Sequence, residues 1–253
     1  MNNESVIQVR NLTMGYKNRI VQQNLNFDIK KSEIFIIMGG SGCGKTTLLK
    51  HLTGLFKPLS GSISIKGSII SSASVLEKRK LMQNFGVLYQ SGALFGNLTL
   101  AENVSLPLEE FRNFTKKERE IIIDEKLDLV DLKEFREFYP SEISGGMKKR
   151  AGLARAMALT PDLLFFDEPS AGLDPISSAN LDQLILNLRD QLQTTMVIVT
   201  HELDSIYSVA DRAIVLDAKT KTIIAEGDPR IMRDETKDPW IKEFLNRSGK
   251  RGN

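Results

Sequence analysis

The segment Gly39–Thr47, with the sequence GGSGCGKTT, limits the fold of this chain more than any other stretch. It follows the apolar run IFIIM and precedes the helix-like LLKHLTG. It matches the pattern G-x-x-x-x-G-K-[ST], with Gly39, Gly44, Lys45 and Thr46 at the fixed positions. Glycines between a strand and a helix let backbone N–H groups turn onto phosphate oxygens, and the helix N-terminus adds partial positive charge. The segment therefore predicts a phosphate-binding loop at the edge of a parallel sheet.

The side chains of this loop have separate expected roles. Lys45 is expected to reach the β- and γ-phosphates and to assist catalysis, and the Thr46 hydroxyl is expected to bind Mg²⁺. Cys43 lies at a free position of the motif near the helix N-terminus, where the pKa of a thiol can be lowered. The favoured alternative is that Cys43 is simply a tolerated small residue. The residues predicted to contact nucleotide in this segment are Gly39, Gly40, Ser41, Gly42, Cys43, Gly44, Lys45, Thr46 and Thr47.

Composition excludes several classes of protein. The 34 Lys and Arg residues nearly balance the 32 Asp and Glu residues, so the chain lacks the basic field typical of nucleic-acid binding, and no nucleic-acid partner is expected. A single cysteine cannot form an intrachain disulfide, which favours a reducing compartment. No window approaches the ~18 consecutive apolar residues of a membrane span. We therefore expect a chain that neither crosses a membrane nor is secreted.

The length of the chain fits one large domain or two interlocked lobes, and we expect a single α/β domain over residues 1–253. Short alternating runs near the N-terminus predict antiparallel strands. Two continuous apolar runs, LLFFD and MVIVT, are separated by the helical SSANLDQLILNLRDQL and predict buried parallel strands joined by a crossover helix. The predicted parts are a β lobe with the phosphate loop (about 1–85), a helical lobe (about 86–158), a core that closes with a hairpin (about 159–226), and a C-terminal amphipathic helix with a frayed basic tail (about 227–253).

Functional side chains follow three of the predicted strands. Ligands of open parallel sheets gather at the carboxyl ends of the strands, so the loop at Gly39, the acids Asp167 and Glu168, and His201 are expected at one edge. Asp167 is predicted to hold Mg²⁺ through its water shell. Glu168 is predicted to orient or deprotonate the attacking water, and His201 to contact the γ-phosphate. His51, the other histidine, is interpreted as structural.

A second candidate anion site lies in the segment SEISGGMKKRAGLARAMAL, immediately before a predicted helix. Ser144, Gly145 and Gly146 come before a first turn that carries Lys148, Lys149 and Arg150. Cations at a helix N-terminus are unfavourable by about 0.3–1 kcal/mol each, and a bound anion would reverse that sign. The alternative, a solvated basic face with a serine cap, stays open on these residues alone.

The segments GGSGCGKTT, ISGGMKKR, LLFFDEPSAGLD and VTHE, in this order, resemble the ATP-binding cassette ATPases of ABC transporters over nearly the whole chain. The resemblance implies a P-loop NTPase with a RecA-like parallel-sheet core, an N-terminal antiparallel β subdomain and a helical subdomain, which hydrolyses ATP with Mg²⁺. It also implies further site residues: Tyr16 as the aromatic side chain that stacks on adenine, Gln90 as the glutamine that senses Mg²⁺ and the membrane partner, Ser144, Gly145 and Gly146 as the signature that closes on ATP bound by a second subunit, and Asp174 as the D-loop acid.

The resemblance also implies partners. Two copies of such a cassette pair head to tail in an ATP-dependent manner. The segments SGGMKKR, YQSGALFGNLTLAENVSLPL and PSAGLDP are similar to the ATPases of MCE/Mla-type phospholipid transporters, although Met147 stands where most of the family has Gln. This similarity implies a multi-span permease, an MCE-type lipid-binding protein, and a peripheral position on the cytoplasmic face of the inner membrane. Leu94, Phe95 and Leu98 are expected either to grip the permease or to pack within the helical lobe.

Several alternative functions share some of these motifs. A transporter ATPase for another solute and a soluble cassette of iron–sulfur assembly would share the nucleotide motifs. Translation-factor cassettes normally occur as two tandem copies, whereas this chain has one. Chromosome and repair ATPases place a long coiled coil between the glycine loop and the signature, which here are separated by about a hundred residues. Other kinases and GTPases lack the signature and the D-loop.

Overall fold

The structure is a computed structural model that describes residues 4–16 and 19–246. The frayed basic tail expected after the last helix lies outside the described residues. The chain divides into two compact units. The first unit takes in the described residues of Met1–Lys78 and Thr195–Asn253, and the second is Arg79–Thr194. The boundaries of the four predicted parts stay a prediction.

The helices and strands, in chain order, are β1 (Ser5–Tyr16), β2 (Arg19–Lys30), β3 (Ile34–Gly39), α1 (Lys45–Leu52), β4 (Ser60–Ile65), β5 (Ser68–Ile69), α2 (Val75–Met82), β6 (Phe85–Leu88), α3 (Leu100–Phe111), α4 (Lys116–Asp128), α5 (Gly145–Ala156), β7 (Leu163–Asp167), α6 (Pro175–Leu192), β8 (Thr195–Val199), α7 (Leu203–Val209), β9 (Arg212–Asp217), β10 (Thr222–Gly227), α8 (Pro229–Glu235) and α9 (Pro239–Leu245). Two short 3₁₀ turns, Lys133–Phe135 and Pro140–Glu142, precede α5.

The first unit contains an antiparallel sheet and strands of a mixed, mainly parallel sheet. In the antiparallel sheet, β1 pairs with β2 and β4, and Val9 lies opposite both Phe27 and Ile63. This confirms the antiparallel strands expected near the N-terminus. In the mixed sheet, β3 lies between β8 and β9, and β10 returns antiparallel to β9 as the expected hairpin. All residues of β3 are buried, so the strand that leads into the glycine loop is anchored in the core.

The second unit combines two parallel strands with helices α3, α4, α5 and α6 and the end of α2. Strand β6 pairs in parallel with β7, and β7 is buried throughout, as its continuous apolar run predicts. Helices α3 and α4 each begin with a capping box, formed by Thr99 with Glu102 and by Thr115 with Glu118, which satisfies N–H groups that a helix start leaves unpaired. The predicted α/β class is confirmed. Over the described ranges, no helix combines the length and the apolar character that a membrane span requires.

Candidate functional site

The glycine loop between β3 and α1 has a backbone that only glycine fits well. Gly39 has φ +147° and Gly44 has φ +102°, a region that side chains with Cβ rarely adopt. A Cβ at Gly39 would lie 2.3 Å from the Leu216 carbonyl oxygen, and one at Gly44 would lie 2.5 Å from Cγ1 of Val21. Both glycines are therefore required by the conformation and by the neighbours, which supports the predicted phosphate-binding turn.

Lys45, the first residue of α1, folds back over the start of the loop. Its Nζ donates hydrogen bonds to the carbonyl oxygens of Gly39 at 3.0 Å and Gly40 at 3.3 Å. The ammonium charge thus lies on the loop itself, beside the backbone that is expected to bind phosphate. An ammonium held on carbonyl dipoles is well suited to exchange these contacts for phosphate oxygens, because a charged hydrogen bond between unlike charges is stronger.

A buried side-chain amide holds the glycine loop by hydrogen bonds. The Gln22 side chain is fully buried, and its Nε2 donates to the carbonyl oxygens of Cys43 at 2.7 Å and Asp217 at 2.9 Å. It therefore ties strand β2 to the loop and to the end of β9. No sequence pattern singles out Gln22, because it lies in the polar stretch QQN of β2.

Cys43 differs from its sequence expectation. The side chain is buried, and burial raises the pKa of the thiol, while the nearby charge of Lys45 acts in the opposite direction. The expected lowering of the Cys43 pKa is therefore wrong, because the cost of desolvating a thiolate exceeds the stabilisation by the positive charge. Cys43 is a small, buried residue of the loop itself.

Tyr16 and His51 both contact Thr47, the third residue of α1. Tyr16 is 48% exposed, its hydroxyl lies 3.1 Å from Oγ1 of Thr47, and its ring meets the ring of Phe56 edge-on. An exposed aromatic ring beside the loop fits the predicted adenine platform.

His51 is buried with Nδ1 2.8 Å from the Thr47 carbonyl oxygen, and burial lowers its pKa. The structural interpretation of His51 is confirmed.

Trp240 lies against the glycine loop from helix α9. Its Cζ2 atom is 3.5 Å from the position that a Gly40 Cβ would take, and its ring stacks on Phe244 with centroids 5.1 Å apart. Asp238 caps the N-terminus of α9, and Ile241 is one of the buried residues of this helix. Sequence analysis missed this contact, since amphipathic periodicity does not reveal which surface a terminal helix covers.

We predict that tryptophan emission of the protein changes when ATP binds. Trp240 is the only tryptophan, so the signal comes from the residue that touches the loop. The change should saturate with the same Kd as ATP measured by equilibrium binding, and it should be absent from a Trp240→Phe variant. Emission that stays constant up to saturating ATP would show that the contact is insensitive to the loop.

His201 reaches the same sheet edge as the glycine loop. Strands β3 and β8 are parallel, with Ile37 opposite Val199, so His201 and Gly39 both follow carboxyl ends of neighbouring strands. The His201 side chain is 54% exposed, and its Nε2 lies 3.8 Å from Oε1 of Glu202. The expected convergence of His201 and the loop is therefore confirmed within the first unit.

The two adjacent acids lie at the carboxyl end of strand β7 in the second unit. Asp167 is the last residue of β7 and is buried, and Glu168 follows it. The parallel pairing of Leu88 with Phe166 places Gln90, two residues beyond β6, at the same edge. Over residues 4–16 and 19–246, no group of three or more His, Cys, Asp and Glu side chains is arranged to hold a metal ion. The meeting of these acids with Gly39 and His201 stays a prediction.

The predicted signature forms the start of α5. Ser144 caps the helix, its hydroxyl accepting a hydrogen bond from the Met147 N–H at 3.2 Å. A Cβ at Gly145 would meet no atom within 4 Å, and one at Gly146 would meet only ordinary contacts, the nearest to Ser177 at 3.8 Å. Packing within this chain therefore leaves room for a larger residue at both positions. The basic face behind the signature is not wholly solvated, because Lys149 is buried.

Helix α5 also holds the segment that follows Gln90. The Arg155 guanidinium donates to the carbonyl oxygens of Gly92 at 3.0 Å and Ala93 at 2.8 Å. A Cβ at Gly152 would lie 2.9 Å from the Gly92 carbonyl oxygen, so helix and loop pack closely. The signature helix and the Gln90 loop are thus joined within one unit, a relation that no sequence pattern indicated.

Asp174 is the N-cap of helix α6. Its carboxylate accepts hydrogen bonds from the N–H groups of Ile176 at 3.1 Å and Ser177 at 3.0 Å, and the Ser177 hydroxyl also donates to it. These bonds, first that of the Ser177 hydroxyl, lower the pKa of Asp174. The residue predicted as the D-loop acid therefore has a capping role in its own chain.

The loop that contains Leu94, Phe95 and Leu98 is held by a buried amide. Asn103 is fully buried; its Oδ1 accepts from the Phe95 N–H, and its Nδ2 donates to the carbonyl oxygens of Phe95, Leu98 and Thr99. Phe95 is nevertheless 55% exposed. The loop is therefore ordered by its own helix and presents an aromatic ring outward.

The family pattern and the individual relatives that match this chain point to one protein family. The sequence pattern of the ABC transporter family matches residues 22–171. The chain is 42% identical over 244 residues to the intermembrane phospholipid transport system ATP-binding protein MlaF of Haemophilus influenzae, covering 96% of this chain and 91% of that protein. It is 40% identical over 242 residues to the probable ribonucleotide transport ATP-binding protein mkl of Mycobacterium leprae, covering 95% of this chain and 68% of that protein.

Solved structures with the same fold are ATP-binding cassettes. A dimeric structure of a post-hydrolysis state of the cassette MJ0796, bound to ADP and Pi, has a TM-score of 0.80 and 30% identity, covering 88% of this chain and 98% of that one. The structure of cbiO1 from Clostridium perfringens, part of the ABC transporter complex cbiONQ, has a TM-score of 0.84 and 27% identity, covering 98% and 97% of the two chains.

Proposed function

Because this chain belongs to the ABC transporter family of ATPases, we propose that its ATP hydrolysis drives the movement of phospholipid by a membrane complex. The chain binds ATP and hydrolyses it to ADP and phosphate, as its family does. The observation that carries the lipid proposal is the near-full-length match to the ATP-binding protein of a phospholipid transport system.

The proposed chemistry is phosphoryl transfer to water, in which the protein positions groups and neutralises charge. The glycine loop and Lys45 hold the phosphates, Glu168 orients or deprotonates the attacking water, and His201 contacts the γ-phosphate. Bound Mg²⁺ would neutralise part of the phosphate charge. Proteins usually hold Mg²⁺ with only a few of their own oxygen atoms, together with oxygens of the substrate phosphates. The assignment of Mg²⁺ to Thr46, Gln90 and Asp167 stays a prediction.

The proposed working form contains two copies of the chain, paired head to tail when ATP is bound. Related cassettes have been solved as dimers. Gly145 has open space around it, and a groove lined by Ser144, Gly146, Met147 and Leu173 lies beside it. Two glycines that packing within the chain does not require, at a helix N-terminus, favour the close approach of an external anion. The ATP of the second copy is the anion we propose.

The proposed membrane partner is a multi-span permease, contacted through the Phe95 loop. An exposed aromatic ring on a loop ordered by Asn103 can bind a partner helix with little loss of conformational entropy. An MCE-type lipid-binding protein would complete the complex. This arrangement would place the chain peripherally on the cytoplasmic face of the inner membrane.

We predict that Phe95→Asp removes the permease from the complex. A carboxylate in an apolar contact must be desolvated without a partner, so the amount of permease that co-purifies with the chain should fall about 10-fold or more. The matched control is Ile121→Asp, which alters another exposed apolar residue of the same unit, 59% exposed on α4. Permease recovery equal to that of the parent chain, with Phe95→Asp folded by circular dichroism, would contradict the proposed contact.

A second cargo is favoured by a specific observation, the similarity to proteins named as ribonucleotide transport ATP-binding proteins. The two cargoes can be separated with the purified complex in phospholipid vesicles. Lipid transport predicts ATP-dependent transfer of labelled phospholipid to or from the vesicles. Stimulation of ATP hydrolysis by ribonucleotides or ribonucleosides other than the ATP substrate, without lipid transfer, would favour the other cargo.

A further inference from the structure

Lys149 is a buried cation that the proposed mechanism does not yet use. It lies on α5, five residues beyond the cap Ser144, and is 5% exposed. Its Nζ donates to the carbonyl oxygen of Ala171 at 2.7 Å and to that of Glu168 at 3.3 Å. A buried ammonium is costly unless it is hydrogen-bonded, so these carbonyls define the place of the side chain. Burial lowers the pKa of Lys149, and the negative charge of Glu168 opposes that shift.

The backbone that Lys149 contacts is unusual. Glu168 has φ +50°, in the left-handed region that residues with a Cβ rarely adopt. Its carbonyl oxygen also accepts the Ala171 N–H at 3.2 Å, closing a turn directly after the acid. Such conformations persist only where surrounding contacts hold them. Lys149 is a long-range contact of this kind, since 19 residues of sequence separate it from Glu168.

We propose that Lys149 is a positioning residue that fixes the direction of the Glu168 carboxylate and joins it to the signature helix. The ammonium bridges the carbonyls at the start and the end of the turn, so the backbone that carries the carboxylate cannot relax independently of α5. The same helix presents Ser144 and Gly145 at its N-terminus. A shift of α5 on contact with an anion is thereby transmitted to the turn that carries Glu168. The inference rests on the proposed role of Glu168.

The first test is the kinetics of Lys149→Met, which keeps an unbranched side chain that lacks only the terminal ammonium position and removes the charge and the donors. Misplacement of a catalytic group by about 1 Å can cost 10²-fold, so we expect kcat to fall about 10- to 100-fold. The KM for ATP should change less than about 2-fold, because the glycine loop is untouched. Lys149→Arg restores charge and donors and should recover most of the lost kcat. Lys149→Gln, a neutral donor, should give an intermediate kcat and serves if the Met variant does not fold.

The matched control is Lys126→Met. Lys126 is 3% exposed on α4 of the same unit, and its Nζ pairs with Glu125 at 2.7 Å. Loss of this buried lysine should alter thermal stability and leave kcat within about 2-fold of the parent value. If both lysine variants lower kcat equally, the effect is one of stability and the positioning role is overturned. An unchanged kcat in Lys149→Met overturns it as well.

A double-mutant cycle separates this inference from the role of Glu168 itself. In single-turnover assays with the purified full chain, Glu168→Gln should lower the rate strongly, and adding Lys149→Met should lower it less than about 2-fold further, because Lys149 acts through Glu168. Rate losses that multiply would show that Lys149 acts independently and would overturn the inference. A fully active Glu168→Gln variant would instead refute the proposed role of Glu168.

Discussion

A Glu168→Gln variant is expected to hydrolyse ATP about 10²- to 10⁴-fold more slowly than the parent chain, the range that a positioned general base contributes. Glutamine keeps the size of the side chain and can still hydrogen-bond to water, but it cannot accept a proton at neutral pH. Because ATP binding is untouched, the variant should accumulate as an ATP-bound dimer. The carboxylate extends from a turn whose backbone is held by the described contacts of Lys149, so the substitution should not disturb the fold.

Light scattering coupled to size-exclusion chromatography checks the dimer, and phosphate release checks the turnover. Glu134→Gln, at an exposed position of the same unit, is the control and should behave as the parent. A Glu168→Gln chain that stays monomeric at saturating Mg-ATP would contradict the head-to-tail pairing. A variant that turns over normally would remove Glu168 from the mechanism.

A Lys45→Met variant is expected to lose about 10²- to 10³-fold in kcat/KM for ATP. The Lys45 ammonium lies on the carbonyl oxygens of Gly39 and Gly40, at the start of the loop. Charged hydrogen bonds to phosphate contribute about 1.5–3 kcal/mol each, and a donor aimed at developing charge in the transition state contributes a further rate factor. Weakened binding should therefore raise the Kd for ATP and lost stabilisation should lower kcat.

The control for Lys45→Met is Lys50→Met on the same helix. The Lys50 ammonium lies 5.5 Å from the centroid of the Phe56 ring. Isothermal titration with ATP and steady-state assays should find this control within about 2-fold of the parent. Equal losses in the two variants would mean that the charge of helix α1, and not the loop position of Lys45, governs binding.

Patterns of short range predicted much of this molecule. The continuous apolar runs of β3, β7 and β8 are buried, and the fixed spacing of the glycine loop places Gly39 at the end of β3 and Gly44 before α1. These features depend on alternation, run length and backbone sterics, which are local properties of the sequence. The family motifs added Tyr16, whose exposed ring lies near α1, and its adenine-stacking role stays a prediction.

Long-range polar contacts were not predictable in the same way. Lys149 reads as one member of a solvated basic face, yet it reaches carbonyls 19 and 22 residues away in sequence. Cys43 reads as a thiol at a helix start, yet its side chain is buried. Asn103 reads as a polar residue inside a helix, yet it orders the loop before that helix. Each depends on which segment packs above the residue, and periodicity carries no information about that.

Purification of this ATPase with its partners distinguishes a lipid-transporting membrane complex from the alternatives. Tagged Glu168→Gln chain would be isolated from detergent-solubilised membranes of its own cells with Mg-ATP, and the proteins and lipids bound to it identified by mass spectrometry. We predict a multi-span permease, an MCE-domain protein and bound phospholipid. Recovery of a permease with a soluble solute-binding protein would contradict the lipid cargo, and recovery of cytosolic scaffold proteins alone would contradict the membrane role.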